Sequence, residues 1–449
     1  MFDFIMSKVK LLVYDHESML KERVGAAGVR SIDLTRLSKR LEKVRIKLKQ
    51  AAADGSLGWL NVPEQRSESQ KAKSLAKKIS AEFKTLVVIG IGGSDLGTRT
   101  LVRALKPAKR GLDVRFIGSN TDPEEIADLL RTVDLKTTLL NVVSKSGGTI
   151  ESMSTFLLLR DRLIRRVGLK SHVRQVVATT DQTSGVLRTI AEREGYTTLP
   201  VPDGIGGRFS VLTPVGLFPA ACAGIAVDGL LRGAAEIRDS FLSTPVGRND
   251  VLNFAGLHYL GYAKRGQRIT VLMPYAARLN PLSSWFRQLW GESLGKEINV
   301  AGRMVSHGLT PVAALGATDQ HSQIQLYNEG PFDKLITFIE VGRMRDDFNL
   351  PNPFPDLEDV SYFSGKNFSE ILRVERRATS MTLEDNGRPN GVLYIPEISP
   401  ETIGGLMTFF MLSTAVMADL LDVNAYNQPG VEKGKRIISA LLGRKGYKL

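Results

Sequence analysis

At 449 residues the chain exceeds a single hydrophobic core and allows two or three domains of roughly 100 to 200 residues each. One cysteine, Cys222, excludes an internal disulfide framework and any cysteine-built zinc site, and fits a reducing, cytoplasmic setting. The net charge of +13, from 60 Lys and Arg against 47 Asp and Glu, permits nucleic acid as a partner. No helix-turn-helix, finger or RNP pattern is present, however, and an anionic small substrate accounts for the charge without nucleic acid.

The opening MFDFIMSKVKLLVYD places Asp3 ahead of any basic residue and has no long apolar run, so it reads as no secretory signal. Residues 17–52 carry Lys and Arg on one side of apolar positions and predict helix. From residue 85 short β-branched runs alternate with helical patterns: TLVVIG (85–90), VRFIG (114–118), TLLNVVSK (138–145) and QVVATT (175–180). That alternation is the signature of a parallel sheet with crossover helices. A second round follows in ITVLMPY (269–275), PVAALGA (311–317) and KLITFIEV (334–341), so the fold class is α/β with two such domains. Residues 209–227 and 402–418 are uncharged and near membrane-spanning length, but interior Gly, Ser, Thr and Pro and the lack of further spans predict buried helices and no membrane. PNPFPDLEDV (351–360) predicts a loop, because Pro351, Pro353 and Pro355 sustain neither helix nor ladder. An exposed helix is predicted over 431–442.

Chemistry concentrates in a few turns. GIGGSDLG (90–97) follows the first strand but lacks the dinucleotide spacing, since Asp95 stands where Gly or Ala should be. A glycine turn that lets a sugar approach backbone fits better, with Gly93 and Ser94 as the contacts. VVSKSGGT (142–149) hands a buried strand over to a helix N-terminus at Ser146 to Thr149, where free N–H groups and the helix dipole favour an anion. GIGGRFS (204–210) crowds glycines around Arg208, whose guanidinium suits an oxyanion or a buried carboxylate. GESLG (291–295) matches a nucleophile elbow, yet the preceding NPLSSWFRQLW is helical, with Asn280 as a plausible cap; this argues against a hydrolase serine. Glu292 is then either a base or an ordinary helix-terminal carboxylate. His321, in DQHSQ (319–323) beyond the PVAALGA strand, is either a ligand-facing group or a polar core residue. No two of the five histidines share a metal-ligand spacing, so neither metal nor other cofactor is expected.

Taken together and in this order, GIGGSDLG, VVSKSGGT, GIGGRFS, WGESLGKE with DQHSQ, and NQPGVEKGK (427–435) resemble the glucose-6-phosphate isomerase family over nearly the whole chain. The resemblance implies two sugar-isomerase (SIS) domains, each a parallel sheet between helices in three layers, at residues 61–225 and 226–425. A helical segment, 1–60, would precede them and a helix, 426–449, would follow. It implies interconversion of glucose 6-phosphate and fructose 6-phosphate through a cis-enediolate, with Glu292 as the base between C1 and C2 and Arg208 stabilising the enediolate. His321 and Lys435 would serve ring opening. Ser144, Lys145, Ser146 and Thr149 would hold the substrate phosphate, with Gln428 on the phosphate side. A homodimer with shared sites is implied too, His321 reaching the neighbouring subunit. Two departures stand out: Asn427 replaces the Asp of the usual Phe-Asp-Gln, and Gly147 and Gly148 replace bulkier residues, which implies a looser phosphate turn. A bifunctional glucose/mannose phosphate isomerase and a non-catalytic sugar-phosphate-binding regulator are the alternatives; the latter has no need of Glu292, His321 and Lys435.

Overall fold

The computed structural model describes residues 10–107 and 110–448; most of the opening read as free of a secretory signal, residues 1–9, lies outside them. Strand β1 (Val13–Asp15) is followed by five parallel strands, β2 (Thr85–Ile89), β3 (Asp113–Ile117), β4 (Thr138–Val143), β5 (Val176–Thr180) and β6 (Thr197–Pro200). These form one sheet in the order β3-β2-β4-β5-β6. Strand β7 (Ile269–Pro274) opens the second round, with the small hairpin β8 (Lys296–Ile298) and β9 (Met304–His307), then β10 (Thr310–Ala313), β11 (Lys334–Arg343) and β12 (Asn390–Glu397). The second sheet runs β1-β12-β11-β7-β10, parallel apart from the antiparallel edge strand β1.

The apolar runs are continuous because both faces of each sheet are covered. In β2, Leu86 and Val88 enter a central core, whereas Val87 and Ile89 enter an outer one with Phe156 and Leu159 of the helix Ile150–Val167. The second sheet repeats the division: Leu335, Ile339 and Val341 of β11 face the central core, and Ile336 and Phe338 face outward. One helical layer therefore serves both sheets, supplying Leu230, Phe254, Trp285 and Phe410. The helix Pro400–Leu420 is long and apolar enough to cross a membrane, but protein buries it. Its glycines explain the packing: a Cβ at Gly404 would lie 2.0 Å from the Leu230 carbonyl oxygen, so the two helices meet backbone to backbone.

Several elements differ from the sequence reading. The span 17–52 is helical mainly over Ser31–Ala53, and the opening segment read as helical contributes β1 to the second sheet. Strand β12 was not anticipated: Gly391 and Pro396 interrupt its pattern, but Pro396 lies beyond Tyr394, the last residue that meets β1. The PVAALGA strand ends already at Ala313. Asn280 is the first helical residue rather than a cap, with Pro281 in the first turn of Asn280–Leu294.

Candidate active site

In the first sheet β2 is followed by a connection to β3 on one side and β4 lies on the other. The helices after β2 and β4 pack on opposite faces, Leu96–Leu105 in the central core and Ile150–Val167 in the outer one. This is a topological switch point, where open α/β sheets bind ligands beyond the carboxyl strand ends. The GIGG and SKSGGT turns occupy those two ends, one strand spacing of about 5 Å apart.

The second turn is shaped by its own hydroxyls. Ser144 Oγ accepts from the Gly147 N–H at 3.0 Å and Ser146 Oγ from the Gly148 N–H at 3.2 Å, which leaves both hydroxyl hydrogens free to donate. Thr149 stands at the N-cap of Ile150–Val167 without spending its side chain on the cap, and Lys145 is exposed beside it. The helix presents unpaired N–H groups and its positive dipole end at this point. Gly147 has φ +70°, and a Cβ there would lie 2.2 Å from the Leu187 backbone nitrogen. The turn is therefore pinned rather than loose at Gly147, which corrects the expectation from its two glycines. Asp181, across the turn, is held below the usual carboxylate range chiefly by the N–H groups of Thr183 and Ser184.

The first turn closes on Arg208. A Cβ at Gly93 would sit 2.2 Å from the backbone carbon of Gly207, so the two glycine turns touch main chain to main chain. Gly92 has φ +58°, and a Cβ there would lie 2.6 Å from the side-chain nitrogen Nε2 of Gln288. Asp95, in the position that breaks the dinucleotide pattern, is buried and bonded twice to Arg99. Ser94 sits in the short 3-10 turn Gly92–Ser94.

Arg208 is buried and uses all five of its N–H donors. Nε donates to Ser293 Oγ (3.1 Å), Nη1 to Glu292 Oε2 (2.6 Å) and Gln428 Oε1 (3.1 Å), and Nη2 to the carbonyls of Ala425 (2.8 Å) and Asn427 (3.2 Å). The substitution of Asn427 for the usual Asp is thus quiet in this respect, since its main-chain oxygen makes the contact. Glu292 lies in the last turn of Asn280–Leu294, where the negative dipole end disfavours a carboxylate unless cations compensate. Two do: Arg208, and Lys296, whose Nζ donates to the Glu292 and Ser293 carbonyls at 2.5 and 2.9 Å. Gln288, one turn earlier, reaches Glu292 Oε1 at 3.3 Å. Glu292 keeps 37% side-chain exposure, enough for a ligand to reach it.

Sequence reasoning thus found Arg208, Glu292 and Gln428, which the structure joins, with Gly93 at the adjoining turn. It missed Gln288, Ser293 as an acceptor, and Lys296; helical spacing from Glu292 would have found Gln288. Two candidates stay apart. His321 is exposed in the 3-10 turn Thr318–His321, and its imidazole has no hydrogen-bond or ion-pair partner among the described residues, so it is no polar core residue. Lys435, on the exposed helix Glu432–Leu441, pairs with Glu432 at 2.8 Å. Among the described residues no group of three or more His, Cys, Asp or Glu is arranged to hold a metal ion.

Two parallel α/β sheets around shared helices, with a serine- and glycine-rich turn at a switch point, define the sugar-isomerase class of fold. Residues 62–445 match the family described as phosphoglucose isomerase. A glucose-6-phosphate isomerase of Carboxydothermus hydrogenoformans is 38% identical over 441 residues, covering 96% of this chain and 94% of that one. Another, from Rubrobacter xylanophilus, is 40% identical and covers 97% and 99%. The solved glucose-6-phosphate isomerase of Chlamydia trachomatis superposes with a TM-score of 0.83 at 25% identity, over 97% of this chain and 89% of that one. The chain belongs to the phosphoglucose isomerase family.

Proposed function

We propose that this protein reversibly isomerises glucose 6-phosphate and fructose 6-phosphate, with Glu292 moving one proton between C2 and C1. The observation that carries the reading is the Arg208–Glu292 pair at 2.6 Å, with every Arg208 donor engaged. A saturated guanidinium has no spare donor for a substrate oxygen. When Glu292 takes the C2 proton it becomes neutral, its hold on Nη1 weakens, and that donor is released as negative charge develops on the enediolate. Base and electrostatic stabiliser are thereby coupled through one hydrogen bond. Ser144, Lys145, Ser146 and Thr149 hold the phosphate, Gly93 and Ser94 give the sugar a close backbone approach, and Gln428 orients Arg208. One carboxylate acting as base and then acid suffices for this shift, without metal or redox chemistry.

His321 and Lys435 serve ring opening in this reading, and both need an element that brings them to the sugar. A homodimer supplies it for His321. The exposed side chains Phe348, Phe354, Leu357, Tyr362 and Phe368, on the segment after β11, support such an apolar contact between copies. We place the two domains at 61–225 and 226–425 and the protein in the cytoplasm, in glycolysis and gluconeogenesis. The test is a coupled assay with fructose 6-phosphate and, separately, mannose 6-phosphate, before and after chelation. Turnover of the first alone, unaffected by chelation, is expected. Comparable turnover of mannose 6-phosphate makes the enzyme bifunctional, and tight binding without turnover makes it a regulator.

A further inference from the structure

We infer that Lys296 is a positioning residue of this site, its buried ammonium fixing the end of the helix that carries Glu292 and adding a second positive charge beside the Arg208–Glu292 pair. The inference rests on the isomerase reading above. Lys296 is only 7% exposed, an uncommon place for a lysine without a carboxylate partner. Its Nζ donates to the Glu292 and Ser293 carbonyls, at 2.5 and 2.9 Å, which belong to the last helical turn and lack intrahelical donors. Gly295 ends the helix and β8 begins at Lys296, held in antiparallel register opposite His307. The backbone on one side and the carbonyls on the other leave the ammonium little freedom. Displacing it would free the turn that sets where the Glu292 carboxylate points, and sub-ångström placement of a base decides rate more than binding.

The charged and titratable groups facing Lys296 are Arg208, Glu292 and His307, the last bonded to Tyr262. Burial, and then Arg208, lower its pKa from 10.5 to about 8, with Glu292 opposing. The site therefore loses this charge as pH rises through about 8. The unfolded chain binds the proton more tightly, so over pH 8 to 10.5 this group makes folding more favourable as pH rises. An alkaline loss of activity in that interval is thus not unfolding driven by Lys296.

The experiment compares kcat and KM against pH for the full-length wild type, Lys296→Met and Lys296→Arg, with lysine-labelled NMR following the amine directly. Lys296→Met is expected to lower kcat at pH 7 by about 10-fold or more while KM stays within about twofold. Lys296→Arg should recover most of that loss and move the alkaline limb above pH 9, because guanidinium stays charged. The wild type should show a lysine resonance titrating near 8 that both variants lack. Wild-type kcat in Lys296→Met, or an unshifted alkaline limb in Lys296→Arg, overturns the inference. An inert wild type with the resonance near 8 overturns the isomerase reading instead.

Discussion

Arg208 and His321 came from the sequence as similar candidates, each a cationic or titratable side chain near a strand end, and the molecule treats them in opposite ways. Arg208 is locked by five hydrogen bonds among three separated stretches, 208, 292–293 and 425–428. His321 is exposed, and its imidazole has no polar partner among the described residues. Lys435 resembles His321, its ion pair being local to its own helix. The groups proposed for proton transfer are thus joined within one chain. The groups assigned to ring opening need a further arrangement, a neighbouring subunit or a moved helix. Preorganisation is worth most where charge develops in the transition state, which is the step assigned to the locked part.

Glu292→Gln gives the largest effect. The amide oxygen can still accept from Arg208 Nη1, so the cluster keeps its shape, but an amide cannot take the C2 proton. Steady-state kinetics should show kcat reduced by about 10²- to 10⁴-fold, the range of a lost general base, with KM little changed. Near-normal kcat in this variant means that the locked cluster is structural and the base lies elsewhere.

The solvent-facing part is tested by mixing. Glu292→Gln and His321→Ala proteins, each inactive, are unfolded together and refolded. If His321 completes the neighbour's site, each heterodimer has one site with both lesions and one with none. Random pairing then restores about one quarter of wild-type activity, since half the dimers are mixed and one site in each of them works. A mixture as dead as its parents, with heterodimers confirmed by mass spectrometry, places His321 in its own chain's site or in none.

Much of this was readable in the chain because each locked residue sits in a turn with its own chemistry. GIGGRFS announces a close backbone approach, and the run Trp285, Phe286, Leu289, Trp290 announces a helix entering GESLG, all four being buried in the structure. Strands β2, β4, β7 and β11 were readable because burial on both faces produces uninterrupted apolar runs. What failed was context supplied from elsewhere. Strand β1 is three residues long and exists by pairing with β12, and β12 hides behind its glycine and proline. Lys296 looked like one more lysine in a basic protein, because burial, which gives it a role, leaves no mark on local spacing.

The smallest expected effect concerns the phosphate turn, which belongs with the locked part if it is rigid and with the adaptable part if it is loose. Its two glycines make a matched pair. Gly147 has φ +70°, a conformation costing an L-residue roughly 1–2 kcal/mol. An added Cβ would also press on the Leu187 backbone, which can yield only by shifting the 185–187 segment, whose Val186 N–H donates to the Ser146 carbonyl. Gly148 has no positive φ, and its Cβ would meet nothing closer than Ser146 Oγ at 3.5 Å, an ordinary contact. Gly147→Ala should therefore destabilise the fold by about 1–3 kcal/mol and raise KM with kcat largely kept, because the displaced hydroxyls are those proposed to hold the non-reacting phosphate. Gly148→Ala should stay within about 0.5 kcal/mol of wild type and bind substrate normally. Thermal unfolding and steady-state kinetics on the two proteins decide it. Equal tolerance of both substitutions would mean that the turn adapts around its ligand, and the phosphate end of the site would then join His321 and Lys435 among the parts arranged only when substrate or a second subunit is present.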